Sequence, residues 1–195
     1  MRSPESPAAL LQQAVHHHTQ GRLAEATRTY RQVLDLDSGH TDALHLLGVA
    51  LTQSGQAAAG AKMIRRSLNI NSRQPAAWTN LGNAELAQSN AGEALRCHEQ
   101  AILLSPDFAL AHNGQGRALV ALERHAEALA CFERALELAP GFFHAVGNRG
   151  EALLRLGRYE DAVVALDAAI RLQPSVESLH LHRGIANFRL GRYAD

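Results

Sequence analysis

Apolar residues recur at three- and four-residue spacing along almost the whole chain, which predicts amphipathic helices rather than strands. The helices come in two alternating types. One is seen in PAAWTNLGNAELAQ and FHAVGNRGEALLRL, the other in AGEALRCHEQAILLS and YEDAVVALDAAIRL. Small residues punctuate them with a fixed period. Pro106, Pro140 and Pro174 lie 34 residues apart, and so do Gly48, Gly82, Gly116, Gly150 and Gly184. The series Ala94, Ala128, Ala162 and Ala101, Ala135, Ala169 keep the same spacing. Self-similarity at such a period marks a repeat architecture. It divides the chain into helix pairs at 7–40, 41–74, 75–108, 109–142 and 143–176, with a partial repeat at 177–195. The whole is read as one array.

The positions explain themselves physically. A glycine eighth in each repeat removes the Cβ between the two helices of a pair and lets them approach. Ala128 and Ala135 serve the same end from the facing helix, while Leu81, Leu119, Leu153 and Phe132 fill the layers. Gly21, Gly55, Gly157 and Gly191 fall in the turn after the first helix, where a left-handed residue commonly ends a helix. Repeat three has Ser89-Asn90 there, and Asn is expected to adopt that conformation. Glu123-Arg124 in repeat four has no turn signal of its own.

Trp78, Leu81, Gly82, Ala94, Ala101 and Pro106 together resemble the tetratricopeptide repeat (TPR) family pattern, and repeats four and five repeat most of it. The departures are Ala14 for the glycine of repeat one, Gly60, Ser67 and Ser72 in repeat two, and Glu85 and His98 in repeat three. The resemblance implies an all-α fold, a right-handed superhelical α-solenoid of helix-turn-helix repeats. First helices would line its concave side. It also implies a protein or peptide ligand held there, contacted by His45, Thr79, Asn80, Asn83, Asn113, Arg117, His144, Asn148 and Glu151. Asparagine both donates and accepts, so it can hold a peptide backbone without demanding one sequence. Asn80 and Asn148 sit where O-GlcNAc-transferase-like arrays carry an asparagine ladder, but Leu46, Gly114 and His182 interrupt it. The two-carboxylate clamp of chaperone-binding arrays is missing.

Composition narrows the function. Hydrophobic residues are 46% and aromatics 5%, which suits thin layers of small side chains. Lys plus Arg and Asp plus Glu are 19 each, so there is no basic surplus of the kind nucleic-acid binding shows. No window reaches the ~18 apolar residues of a membrane span, and no leader is visible, so a cytoplasmic protein is expected. Cys97 and Cys131 occupy equivalent places, which suggests a shared environment and no disulfide. Consecutive rings of His16-His17-His18 point about 100° apart on a helix, which suits no metal ion. His112, His144, His180 and His182 fall on first helices, and acidification is expected to charge that face. Gly114-Gln-Gly116 lies inside a helix, so it is no nucleotide loop. No catalytic motif emerges and no cofactor is required.

The expectation is a non-enzymatic interaction scaffold. An alternative is the substrate-presenting arm of a larger bacterial transferase whose catalytic domain lies beyond Asp195. Because LGRYAD restarts a repeat, the chain also reads as part of a longer protein. Phe188, Leu190 and Tyr193 are then expected to be only partly covered, giving self-association through the last repeat.

Overall fold

The computed structural model describes residues 6–192. Among the described residues there are eleven helices and no strand. First helices are α1 (Pro7–Thr19), α3 (Thr41–Gln53), α5 (Pro75–Leu86), α7 (Ala109–Ala121), α9 (Phe143–Arg155) and α11 (Glu177–Arg189). Second helices are α2 (Leu23–Leu36), α4 (Ala57–Ile70), α6 (Ala91–Leu104), α8 (His125–Leu138) and α10 (Tyr159–Leu172). First helices begin at 7, 41, 75, 109, 143 and 177, in step with the expected period.

The chain forms two compact units, Met1–Leu104 and Ser105–Asp195. In the first, α1 meets α3 and α3 meets α5; in the second, α7 meets α9 and α9 meets α11. The described second helices α2 and α4, α4 and α6, and α8 and α10 make no such contact. A stack closed on one side and splayed on the other bends toward the closed side. First helices therefore line the inner wall of each unit.

The eighth-position glycines do what the spacing predicts. A Cβ at Gly116 would lie 2.5 Å from the Phe132 ring, and one at Gly150 would lie 2.7 Å from Leu166 Cγ. Phe132, Leu166, Ala128 and Ala135 are all fully buried. Gly184 meets nothing, because among the described residues no second helix faces α11. Accordingly Leu181 and Phe188 are each 63% exposed, Leu190 is half-buried, and Tyr193 lies outside the described residues.

Repeat two shows why departures from the pattern fold. Ser67 takes an alanine place with its hydroxyl satisfied: it donates to the Thr41 carbonyl (2.9 Å) and accepts from Gln74 Nε2 (3.3 Å). Glu85 is buried in repeat three, held by Arg65 Nη2 at 2.7 Å and Asn90 Nδ2 at 2.9 Å. His98, also fully buried, fills the place that Phe132 and Leu166 hold, with its ring against Gly82.

Every first helix closes with the same six-to-one turn bond, as in Arg22 N–H to His17 O (3.0 Å) and Arg124 N–H to Leu119 O (2.9 Å). Gly21, Gly55, Gly157 and Gly191 supply its left-handed residue at φ 72°, 82°, 73° and 74°. In repeat three that residue is Ser89 (φ 63°), not Asn90 as expected, and in repeat four it is Glu123 (φ 60°). Asn90 instead directs its side chain to Glu85. Glu123→Gly is expected to stabilise the protein by about 0.5–1 kcal/mol, the left-handed penalty of ~1–2 kcal/mol less glycine's extra chain entropy. Thermal unfolding of the variant checks the sign, and an unchanged or lower midpoint refutes it.

Candidate functional site

The inner walls carry a polar device repeated once in each unit. In the first, Asn80 Nδ2 on α5 donates to His45 Nε2 on α3 at 2.9 Å. In the second, Asn148 Nδ2 on α9 donates to Asn113 Oδ1 on α7 at 2.8 Å. Both join the fifth position of one repeat to the sixth of the next. Where both places are apolar, as with Leu11 and Leu46, the side chains join one core cluster. With Nδ2 committed, each asparagine keeps its Oδ1 as a fixed acceptor.

The nine expected groove residues divide accordingly. His45, Asn80 and Asn83 are half-buried on the first unit's wall. Arg117 and His144 are exposed, and Asn148 and Glu151 half-buried, on the second's. Thr79 and Asn113 are not available to a ligand, being 5% and 7% exposed. Asn113 acts from below by orienting Asn148. The fifth position faces the next first helix, and its exposure depends on the size of the residues packed beside it. Local crowding at Arg117 lowers its pKa through desolvation.

A recess of about 130 Å³ opens between α9 and α11, lined by His144, Asn148, Glu151, Ser178 and His182. Gly147 on its wall would place a Cβ 3.0 Å from Leu179 Cδ2, so glycine there keeps the helices close. Glu151 has a long ion pair with Arg155 at 3.6 Å. The recess thus offers an amide acceptor, a carboxylate and two imidazoles.

Burial lowers the His45 pKa below 6.5, with Asp42 partly opposing it. A neutral ring with its proton on Nδ1 is what lets Nε2 accept from Asn80. The His45 resonance is expected to titrate with a midpoint below 6.5 by NMR. Since its folded pKa is depressed, stability falls as pH drops from the ordinary value of about 6.5 toward the folded one. A midpoint at or above the ordinary value would contradict this.

Other histidines tie neighbouring segments together by hydrogen bonds, a role the sequence analysis missed. His112 and His180 place Nε2 2.8 Å from the carbonyls of Pro106 and Pro174, the last loop of the preceding repeat. Trp78 Nε1 donates to Ser72 O at 2.8 Å in the same way. A ring N–H fourth in the first helix facing a loop carbonyl is the signal that could have found them. His18 bridges three helices, with Nδ1 3.2 Å from Tyr30 Oη and Nε2 2.8 Å from Gln53 Oε1. Burial pushes the Tyr30 hydroxyl up to about 12. Among the described residues no three His, Cys, Asp or Glu side chains converge as a metal site.

Cys97 and Cys131 do not share an environment. Cys97 is buried, which pushes its thiol up to about 11. Cys131 is half-buried and lies 3.3 Å from Gln115 Oε1. Among the described residues no helix is long and apolar enough to cross a membrane.

No curated protein matches this chain significantly. Among solved structures, the chain is similar to TTC0263, a thermophilic TPR protein of Thermus thermophilus (18% identity, TM-score 0.79, covering 94% of this chain and 100% of that one). It is similar to YrrB, described as a TPR protein with an unusual peptide-binding site (24% identity, TM-score 0.66, 89% of each chain). In the APC/C hetero-tetramer Cut9–Hcn1 the similarity covers 98% of this chain and 38% of that one (17% identity, TM-score 0.91). These likenesses show the fold. One tetratricopeptide repeat family model matches residues 79–141 and a second matches 17–84 and 119–182. The chain belongs to the tetratricopeptide repeat family.

Proposed function

We propose that this chain is a protein-interaction scaffold whose first-helix walls hold an extended protein or peptide segment. One observation carries the reading. The Asn113–Asn148 bond fixes the Asn148 amide, leaving its acceptor at the recess that Glu151, His144 and His182 also line. A peptide backbone N–H suits the amide acceptor, and a side chain of one-residue size suits a volume of about 130 Å³. Asn80, oriented by His45, offers the same acceptor in the first unit, beside Asn83. Arg117 adds a cation to the second unit's wall. The neighbour YrrB, described as having an unusual peptide-binding site, supports the assignment by likeness of fold.

The test is a peptide selected from a random library on the unaltered protein. Its Kd is then measured on Asn148→Ala and Glu151→Ala. A loss of about tenfold for each, roughly 1.4 kcal/mol, is expected. Equal affinity for all three proteins would overturn the assignment.

A further inference from the structure

The outer side of the first unit carries a second, unassigned surface. Two recesses lie there, of about 560 Å³ and 500 Å³. They are one site repeated. Arg28, Arg31 and Gln32 of the first correspond, 34 residues on, to Lys62, Arg65 and Arg66 of the second. Likewise Ser54 and Gln56 correspond to Gln88 and Asn90. Each recess is framed by a second helix and by the turn of the following pair. Such a place recurs with the fold, but its charge does not follow from the fold. Helix α4 carries Lys62, Arg65 and Arg66 and no acidic residue. The other second helices do not share this surplus: α2 sets Glu25 and Asp35 against Arg28 and Arg31, α6 sets Glu93 and Glu99 against Arg96, and those of the second unit are acidic. There α8 has Glu127, Glu133 and Glu137 against Arg134, and α10 has Glu160, Asp161 and Asp167 against Arg171.

The cations are largely uncommitted. Arg65 is tied to buried Glu85, and Arg66 reaches the Ser38 carbonyl at 3.3 Å. Arg28, Arg31 and Lys62 are exposed and form no ion pair or hydrogen bond among the described residues. In the first recess Asp35 moderates the charge; in the second, Asn69 stands in that place. Side-chain amides at the rims can pair with a peptide backbone. Nucleic acid would call for exposed aromatics to stack on bases, and neither recess contains one.

We infer that these tandem recesses bind an acidic polypeptide segment, whose carboxylates Arg28, Arg31 and Lys62 receive. The surface lies on second helices and is independent of the first-helix walls. Fluorescein-labelled deca-glutamate is the probe, followed by anisotropy. Affinity is expected to fall at least about tenfold in the Arg31→Glu/Lys62→Glu double variant, and to fall with added salt. Arg134→Glu/Arg171→Glu, the same charge change in the second unit, and Asn148→Ala on its inner wall are expected to bind as the unaltered protein does. Circular dichroism checks the fold; if the double variant unfolds, Lys62→Gln takes its place with a loss of about threefold expected. Deca-glutamine binding as tightly, or variants binding alike, would overturn the inference. So would single-stranded DNA, inorganic phosphate or anionic vesicles competing better than unlabelled deca-glutamate.

Discussion

Gly60→Ala is expected to destabilise the protein by about 2 kcal/mol and lower its melting temperature by roughly 4–8 °C. Pattern alone argues the opposite. Alanine stands at this place in the other pairs (Ala26, Ala94, Ala128 and Ala162), and it is a better helix former than glycine by about 1 kcal/mol. In the second pair, however, the helices touch backbone to backbone. A Cβ on Gly60 would lie 2.6 Å from the Gly48 carbonyl oxygen and 3.1 Å from the Thr52 amide nitrogen, and would also overlap Thr52 Oγ1. A side-chain oxygen can swing away, but two packed backbones must separate. Thr52→Ala is therefore expected to recover only part of the loss. A melting temperature equal to or above that of the unaltered protein would refute the argument.

Phe132→Ala is expected to cost about 3–5 kcal/mol, a large part of the ~5–15 kcal/mol that holds a folded protein together. The ring is fully buried and fills the space that Gly116 leaves open, so its removal empties the α7–α8 contact. Alanines at 128 and 135 on either side are too short to close the gap. In a repeat stack each pair depends on its neighbours only. Hydrogen exchange is thus expected to accelerate in α7, α8 and α9, while α1 to α4 keep their protection. Uniform loss along the whole chain would contradict that locality.

The helix borders and the glycine contacts were legible because they obey spacing. A missing Cβ at the eighth position has one geometric meaning wherever it recurs, as Gly82, Gly116 and Gly150 show. The candidate site was legible only as a set of positions. His45, Thr79 and Asn113 share the fifth place, yet the first is half-buried and the others are buried. What separates them is the neighbouring helix, and the pairing of fifth with sixth places becomes visible only once helices are side by side. The left-handed turn residues show a different limit. Ser89 and Glu123 adopt φ near 60° because the fixed repeat length forces the turn, against their own preference. Composition likewise hid the outer surface of the first unit, since balanced totals conceal an α4 without acids.

Trp78 is the chain's sole tryptophan, packed against the core cluster that joins Ala61, Ile64 and Leu68 of α4 to Ala77, Leu81 and Ala84 of α5, with its indole N–H held by the Ser72 carbonyl. It works as a natural optical probe of the joint between the second and third helix pairs. Its emission shifts to the red when that joint lets water in, and is blind to α7 through α11. Fluorescence and circular dichroism recorded on one sample therefore follow different parts of the molecule without any label.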